Sequence, residues 1–190
     1  PAVERSGVTG VLGQRWRADV TAHGSIEPWD GSPRLDWHIA ADDRWHSPAS
    51  EASVRQRRLL GASVFETRMR VPGGDAVQRV WSVPDDGGLT IVEVENDSPL
   101  PFACALTRDD LRTTRPPADN PVAGIELPLT TIVLPIGHRT SARVALAHAG
   151  RRDGRLPTGL PSAEAVARGW VTVSERASRL DLPSSALQEA

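Results

Sequence analysis

The sequence has no lysine and no tyrosine. All 22 of its basic side chains are arginine, and its aromatic complement is six tryptophans and two phenylalanines. A GC-rich coding bias produces such an arginine excess. It also supplies planar guanidinium forks suited to bidentate anion recognition wherever they cluster. A single cysteine, Cys104, excludes an intrachain disulfide and a cysteine metal cluster. Its place between Phe102 and Leu106 at strand spacing reads as that of a small buried apolar residue. No run approaches the roughly 20 apolar residues that span a bilayer, and no charged and apolar leader opens the chain. A net charge of −2 offers no basic footprint for nucleic acid. Gly-rich phosphate loops, a G-x-S-x-G elbow and an H-E-x-x-H helix are missing as well, and no cofactor is expected. The chain starts at Pro1 without methionine, so the native start is expected to be missing or processed, with a cytoplasmic location as the default.

What is there is a succession of short apolar strands. The clearest is residues 64–71, where Phe65, Thr67, Met69 and Val71 share one face and Glu66, Arg68 and Arg70 the other. Alternation of that kind means one packed face and one wet face. Turn residues Pro72-Gly73-Gly74-Asp75, Pro84-Asp85-Asp86-Gly87-Gly88 and Asp97-Ser98-Pro99 then separate strands at 76–83, 89–96 and 102–107, a four-strand meander spanning 64–107. Further strands are expected at 8–17, 35–40, 54–60, 125–127, 130–135 and 143–149, with short strands at most in the Gly- and Pro-rich stretch 18–34. About ten strands suit two stacked sheets. The fold class is therefore mainly β, an antiparallel two-sheet sandwich over residues 1–150, followed over 151–190 by a short C-terminal helical linker. Ser162 caps that helix, and Ala163, Val166, Ala167 and Trp170 recur at helical spacing. A second helix start at 181–185, with no stop signal before Ala190, reads as the entry to a further α-helical domain.

Several segments carry a family resemblance. Trp45-His46-Ser47-Pro48, Arg70-Val71-Pro72-Gly73-Gly74-Asp75 and Glu93-Val94-Glu95-Asn96-Asp97-Ser98-Pro99, in that order, resemble the N-terminal β-supersandwich domain of bacterial glycoside hydrolases of the glucoamylase and glycogen-debranching type. The tail Arg179-Leu180-Asp181-Leu182-Pro183 with Leu187-Gln188-Glu189-Ala190 is similar to the entry into that family's (α/α) toroid. The resemblance implies a non-catalytic domain that supports and orients a C-terminal toroid of the same polypeptide. The family's catalytic carboxylates lie in the toroid, so none is carried over to this chain.

The residues themselves offer few sites. Glu93 and Glu95 share a strand face at a spacing that suits a glycosidase pair, but a solvated strand face is the plainer reading. His38, Asp42, Asp43 and His46 carry metal-ligand chemistry without a metal-ligand spacing. Trp37 and Trp81, inside strands, are expected to fill the core. Trp29, between Pro28 and Asp30-Gly31, and Trp45 are the candidate sugar-stacking residues. They support a second reading, a self-standing carbohydrate-binding module. Val166 and Trp170 are the candidate domain interface. The expected partners are the toroid and an oligosaccharide, with neither nucleic acid nor membrane.

Overall fold

A computed structural model describes residues 7–118, 123–150 and 153–177. Fourteen strands and one α-helix, with three single-turn 3-10 helices, lie within them. They are β1 (Gly7–Gly10), β2 (Arg17–Val20), β3 (Ile26–Pro28), β4 (Trp37–Ala40), β5 (Trp45–His46), β6 (Arg55–Arg58), β7 (Phe65–Val71), β8 (Gly74–Val83), β9 (Leu89–Asp97), β10 (Phe102–Leu106), β11 (Arg112–Thr113), β12 (Ile132–Ile136), β13 (Ser141–Ala147), β14 (Gly154–Arg155) and α1 (Ala163–Arg176). They form a seven-stranded sheet in the order β14-β11-β13-β9-β8-β7-β6, a four-stranded sheet β12-β10-β4-β5 and a three-stranded sheet β1-β2-β3. Every strand pair is antiparallel except β11 with β14. This is the expected β-sandwich followed by a short helix.

Alternation along the strands builds the main core. Phe65, Met69 and Val71 of β7, Ala76 and Val80 of β8, Val92 and Val94 of β9, and Val144 and Leu146 of β13 point inward from the large sheet. Trp37 and Ile39 of β4, Phe102, Cys104 and Leu106 of β10, and Leu134 and Ile136 of β12 meet them from the smaller sheet. Ala18, Val20 and Ile26 of the three-stranded sheet join the same cluster. Trp37 is buried, and its indole N–H donates to the His23 carbonyl at 2.9 Å, so the ring is lost to the surface without an orphaned donor.

Only three strands of the expected meander stay together. β7, β8 and β9 are neighbours in the large sheet, whereas β10 crosses to the smaller sheet and pairs with β4 and β12. The Ser98-Pro99 turn changes layer instead of returning the chain to the same one. The β7–β8 hairpin turns at Pro72-Gly73, with Gly73 at φ +79°. Gly74 follows where a Cβ would lie 2.1 Å from the Asp97 carbonyl oxygen.

Residues 8–17 are two strands' ends with a turn between, not one strand, and 125–127 are not a strand. β5, β11 and β14 are two-residue strands too brief to leave a periodic signal. The expected helix start at 181–185 and the tail 186–190 lie outside the described residues.

The second face of the large sheet is not simply wet. Over one half of it α1 closes a second core. Val64, Trp81, Val83, Leu89, Ile91, Ala145 and Ala147 meet Ala163 and Ala167, with Leu156 beside them. Ala163 and Ala167 sit one turn apart on the same helix face and are fully buried, so small side chains let the helix lie close to the sheet. Ser162 starts the helix, its Oγ accepting from the Ala165 N–H at 3.2 Å. The indole N–H of Trp81 donates to the Pro161 carbonyl at 3.2 Å and ties the helix entry to β8.

Candidate functional site

The other half of that face carries a charge ladder. In register across five adjacent strands stand Arg57 of β6, Glu66 of β7, Arg79 of β8, Glu93 of β9 and Arg143 of β13. The sign alternates at every step. Opposite charges on directly opposed positions of neighbouring strands attract, and here each carboxylate lies between two guanidinium groups. Glu66 Oε1 accepts from Arg57 Nε at 2.9 Å and from Arg68 Nε at 3.1 Å, and its Oε2 accepts from Arg79 Nε at 3.0 Å. Arg79 Nη1 donates to Glu95 at 2.6 Å and to Glu93 at 3.3 Å, and Arg143 donates to the other oxygen of Glu93. Glu164 of α1 reaches Arg79 at 3.9 Å, and the Arg143 guanidinium lies 5.6 Å over the Trp81 ring. The ladder and the helix-covered core thus share a border.

Burial acts to raise the Glu66 carboxyl pKa, but Arg68, Arg79 and Arg57 outweigh it and hold the group below its usual range. The net direction follows from geometry, because three cations converge on one carboxylate that is only 2% exposed. Glu93 and Glu95 do share a face at glycosidase-like spacing, yet both are bound to Arg79, and Glu93 is also bound to Arg143. Charge-assisted hydrogen bonds of this kind hold both carboxylates on the strand face. The face braces the sheet.

A second polar assembly lies between the β1–β2 loop and the large sheet. Hydroxyls and an imidazole form a chain: Thr9 to Ser82 at 2.9 Å, Ser82 to Thr90 at 2.8 Å, Thr90 to His148 Nε2 at 2.9 Å, and His148 Nδ1 to Gln14 Oε1 at 3.1 Å. The Gln14 carbonyl can only accept, so Nδ1 carries the proton and Nε2 accepts from Thr90, a neutral ring. The Trp16 ring stacks on it at 4.0 Å and 9°. Burial, aided by the Arg17 charge and opposed by Asp30, pushes the His148 pKa down to about 4. Thr90 is fully buried and Thr9 and Ser82 nearly so, which denies a substrate access to any of these hydroxyls.

The His38 to His46 segment resolves into one set of three residues and one pair. His46 is buried and bonds Asp43 at 2.9 Å and Glu51 at 3.1 Å, while His38 Nδ1 meets Ser47 Oγ at 2.8 Å. No group of three or more metal-ligating side chains with metal-holding geometry occurs among the described residues.

The four tryptophan and valine candidates fall in three places. Trp29 follows β3 and is 61% exposed, its indole N–H donating to Asp19 Oδ2 at 2.9 Å, so the ring is held by one edge. Trp45 lies in β5 at the rim of the four-stranded sheet, half-buried, donating to the Ala123 carbonyl at 2.8 Å. Trp29 thus lies in the turn after the three-stranded sheet and Trp45 in the four-stranded one. Val166 and Trp170 are half-buried on α1 beside the second core. They line an apolar groove of about 380 Å³ with Val11, Leu12, Val83 and Val173.

The ladder escaped sequence reading because its members are 9 to 50 residues apart. Only the Glu66–Arg79 step was accessible, since the tight Pro72-Gly73 turn sets that register. Among the described residues no helix is long and apolar enough to cross a membrane. Comparison with protein-family models, with curated proteins and with solved structures finds no match for this chain.

Proposed function

We propose that this chain is the non-catalytic N-terminal β-sandwich domain of a carbohydrate-active protein of the glucoamylase and glycogen-debranching type, supporting and orienting a C-terminal (α/α) toroid. One observation carries the reading: an apolar strip left uncovered on either side of α1. Val173 is 49% exposed and Leu12 is 71% exposed, and they flank the groove that Val166 and Trp170 line. On the helix's other side Leu60, 64% exposed and held at φ +53°, lines a second groove with Trp170 and Val171. Large apolar side chains gathered on one flank suit a surface that another body covers. The strand carboxylates nearest to glycosidase geometry are bound to arginines, which agrees with a supporting role. Incubation of the chain with maltooligosaccharides should release no sugar. Turnover by this chain alone would overturn the reading.

A second reading, a self-standing carbohydrate-binding module, has the exposure of Trp29 in its favour. Titration with maltooligosaccharide separates the two. Saturable tryptophan quenching that disappears in Trp29→Ala selects the binding module, and unchanged fluorescence selects the supporting domain.

A further inference from the structure

The ladder stops at an edge. β6 is the last strand of the large sheet, so its residues have cross-strand neighbours on one side only. Arg55 and Arg57 are two apart on β6 and so project to the same face as Glu66 and Arg68. In register Arg55 stands directly opposite Arg68, a like-charge cross-strand pair that opposes folding unless an anion lies nearby. Arg68 has its anions: Glu66 at 3.1 Å, Asp75 at 3.6 Å and Asp97 at 3.8 Å. Arg55 is exposed and has no carboxylate within ion-pair reach among the described residues. Around these groups the surface sinks into a cavity of about 330 Å³ lined by Arg55, Gln56, Arg57, Glu66, Arg68 and Asp75. Its volume falls at the small end of ligand pockets. Three arginines against two carboxylates leave it one positive charge in excess, with the unsatisfied cation at its mouth.

We propose that this cavity binds a small hydroxyl-bearing ligand with a single oxyanion group, an acidic sugar in chemical class. Arg55 receives the oxyanion, with the exposed end of Arg57 beside it. Asp75, tied to Arg68 and Arg70 but still partly exposed, offers carboxylate oxygens to ligand hydroxyls. The oxyanion compensates Arg55, whose cross-strand neighbour is another arginine, Arg68, and offers it no negative charge. Planar guanidinium forks suit both a carboxylate and a phosphate, so a uronate and a sugar phosphate share the recognition chemistry. A long acidic peptide added along the β6 edge is the competing occupant. The cavity's small volume and its surplus of only one charge favour the small ligand.

Calorimetric titration of the whole chain with glucuronate, glucose 6-phosphate, glucose, inorganic phosphate and a short polyglutamate peptide tests the proposal. Saturable binding is expected for glucuronate or glucose 6-phosphate, weaker by roughly tenfold or more for glucose and for inorganic phosphate. Which acid binds tighter identifies the oxyanion as carboxylate or phosphate. Arg55→Gln should weaken that binding by roughly tenfold, the effect of losing one charge-assisted contact, while Arg55→Lys keeps part of it. Arg55 is exposed and unpaired, so both variants should unfold at the parent temperature, and this is measured alongside. Absence of saturable binding by either acid overturns the site. So does binding of glucose or inorganic phosphate as tightly as the acids, binding of polyglutamate alone, or affinity unchanged in Arg55→Gln.

Discussion

Glu66 shows what a charged residue does inside this protein. It is almost completely buried, and three guanidinium groups contact its two oxygens. Removing one partner of a buried, hydrogen-bonded charge set leaves the others uncompensated, so Glu66→Ala should cost about 3 kcal/mol in urea unfolding. Its carboxyl pKa is lower folded than unfolded. Its stabilising contribution is therefore present above the ordinary value of 4.5 and is lost as the pH falls. His148 acts in the same direction for the opposite reason. It is held neutral, with a folded pKa of about 4 against 6.5 in the unfolded chain. Between those values the unfolded chain binds the extra proton, so stability falls as the pH drops from about 6.5 to about 4. The ring is partly exposed, which reduces the effect to about 1–2 kcal/mol. Melting temperature against pH should show this decline, and His148→Gln should flatten it. Cys104 was legible as a buried apolar residue: it is fully buried, and its thiol pKa is pushed up to about 12 by desolvation. The role of Glu66 was not legible, because a polar residue on a strand reads as solvent-facing until the residues opposite it are known.

At the scale of elements, β7, β8 and β9 were readable because each is long and bounded by Gly or Pro turns, and β7 also because its residues alternate. The departure of β10 to the other sheet was not, since alternation sets which side chains are buried and not which sheet buries them. α1 was readable from its cap and its spacing. Ser162→Ala removes an acceptor from the Ala165 N–H and should cost about 1 kcal/mol. Because α1 closes the second core, the loss should appear in cooperative unfolding followed at Trp81 and Trp170, and not only as fraying of the helix. Trp29 and Trp170 both came from the sequence as surface candidates. The structure separates them: one ring is fixed by Asp19 on a loop, and the other is half-buried between two grooves.

At the scale of the whole molecule, the seven-stranded sheet has two differently finished faces. Its inner face is an apolar core shared with the other sheets. Its outer face is divided between a helix-covered apolar half and an arginine–carboxylate lattice. The lattice is satisfied internally except at its β6 end. The apolar half extends past α1 into grooves walled by Leu12, Leu60, Trp170 and Val173. A supporting domain needs an uncovered apolar flank, and Leu12 and Val173 are exposed beside α1. The measurement that tests this account most directly is hydrogen–deuterium exchange on the polypeptide as its gene encodes it, compared with residues 1–190 alone. A supporting domain predicts slower exchange in the longer protein across α1, around Trp170 and Val173, and in the β1–β2 loop around Leu12. Equal exchange at those positions, or a gene that encodes nothing beyond this chain, would contradict it.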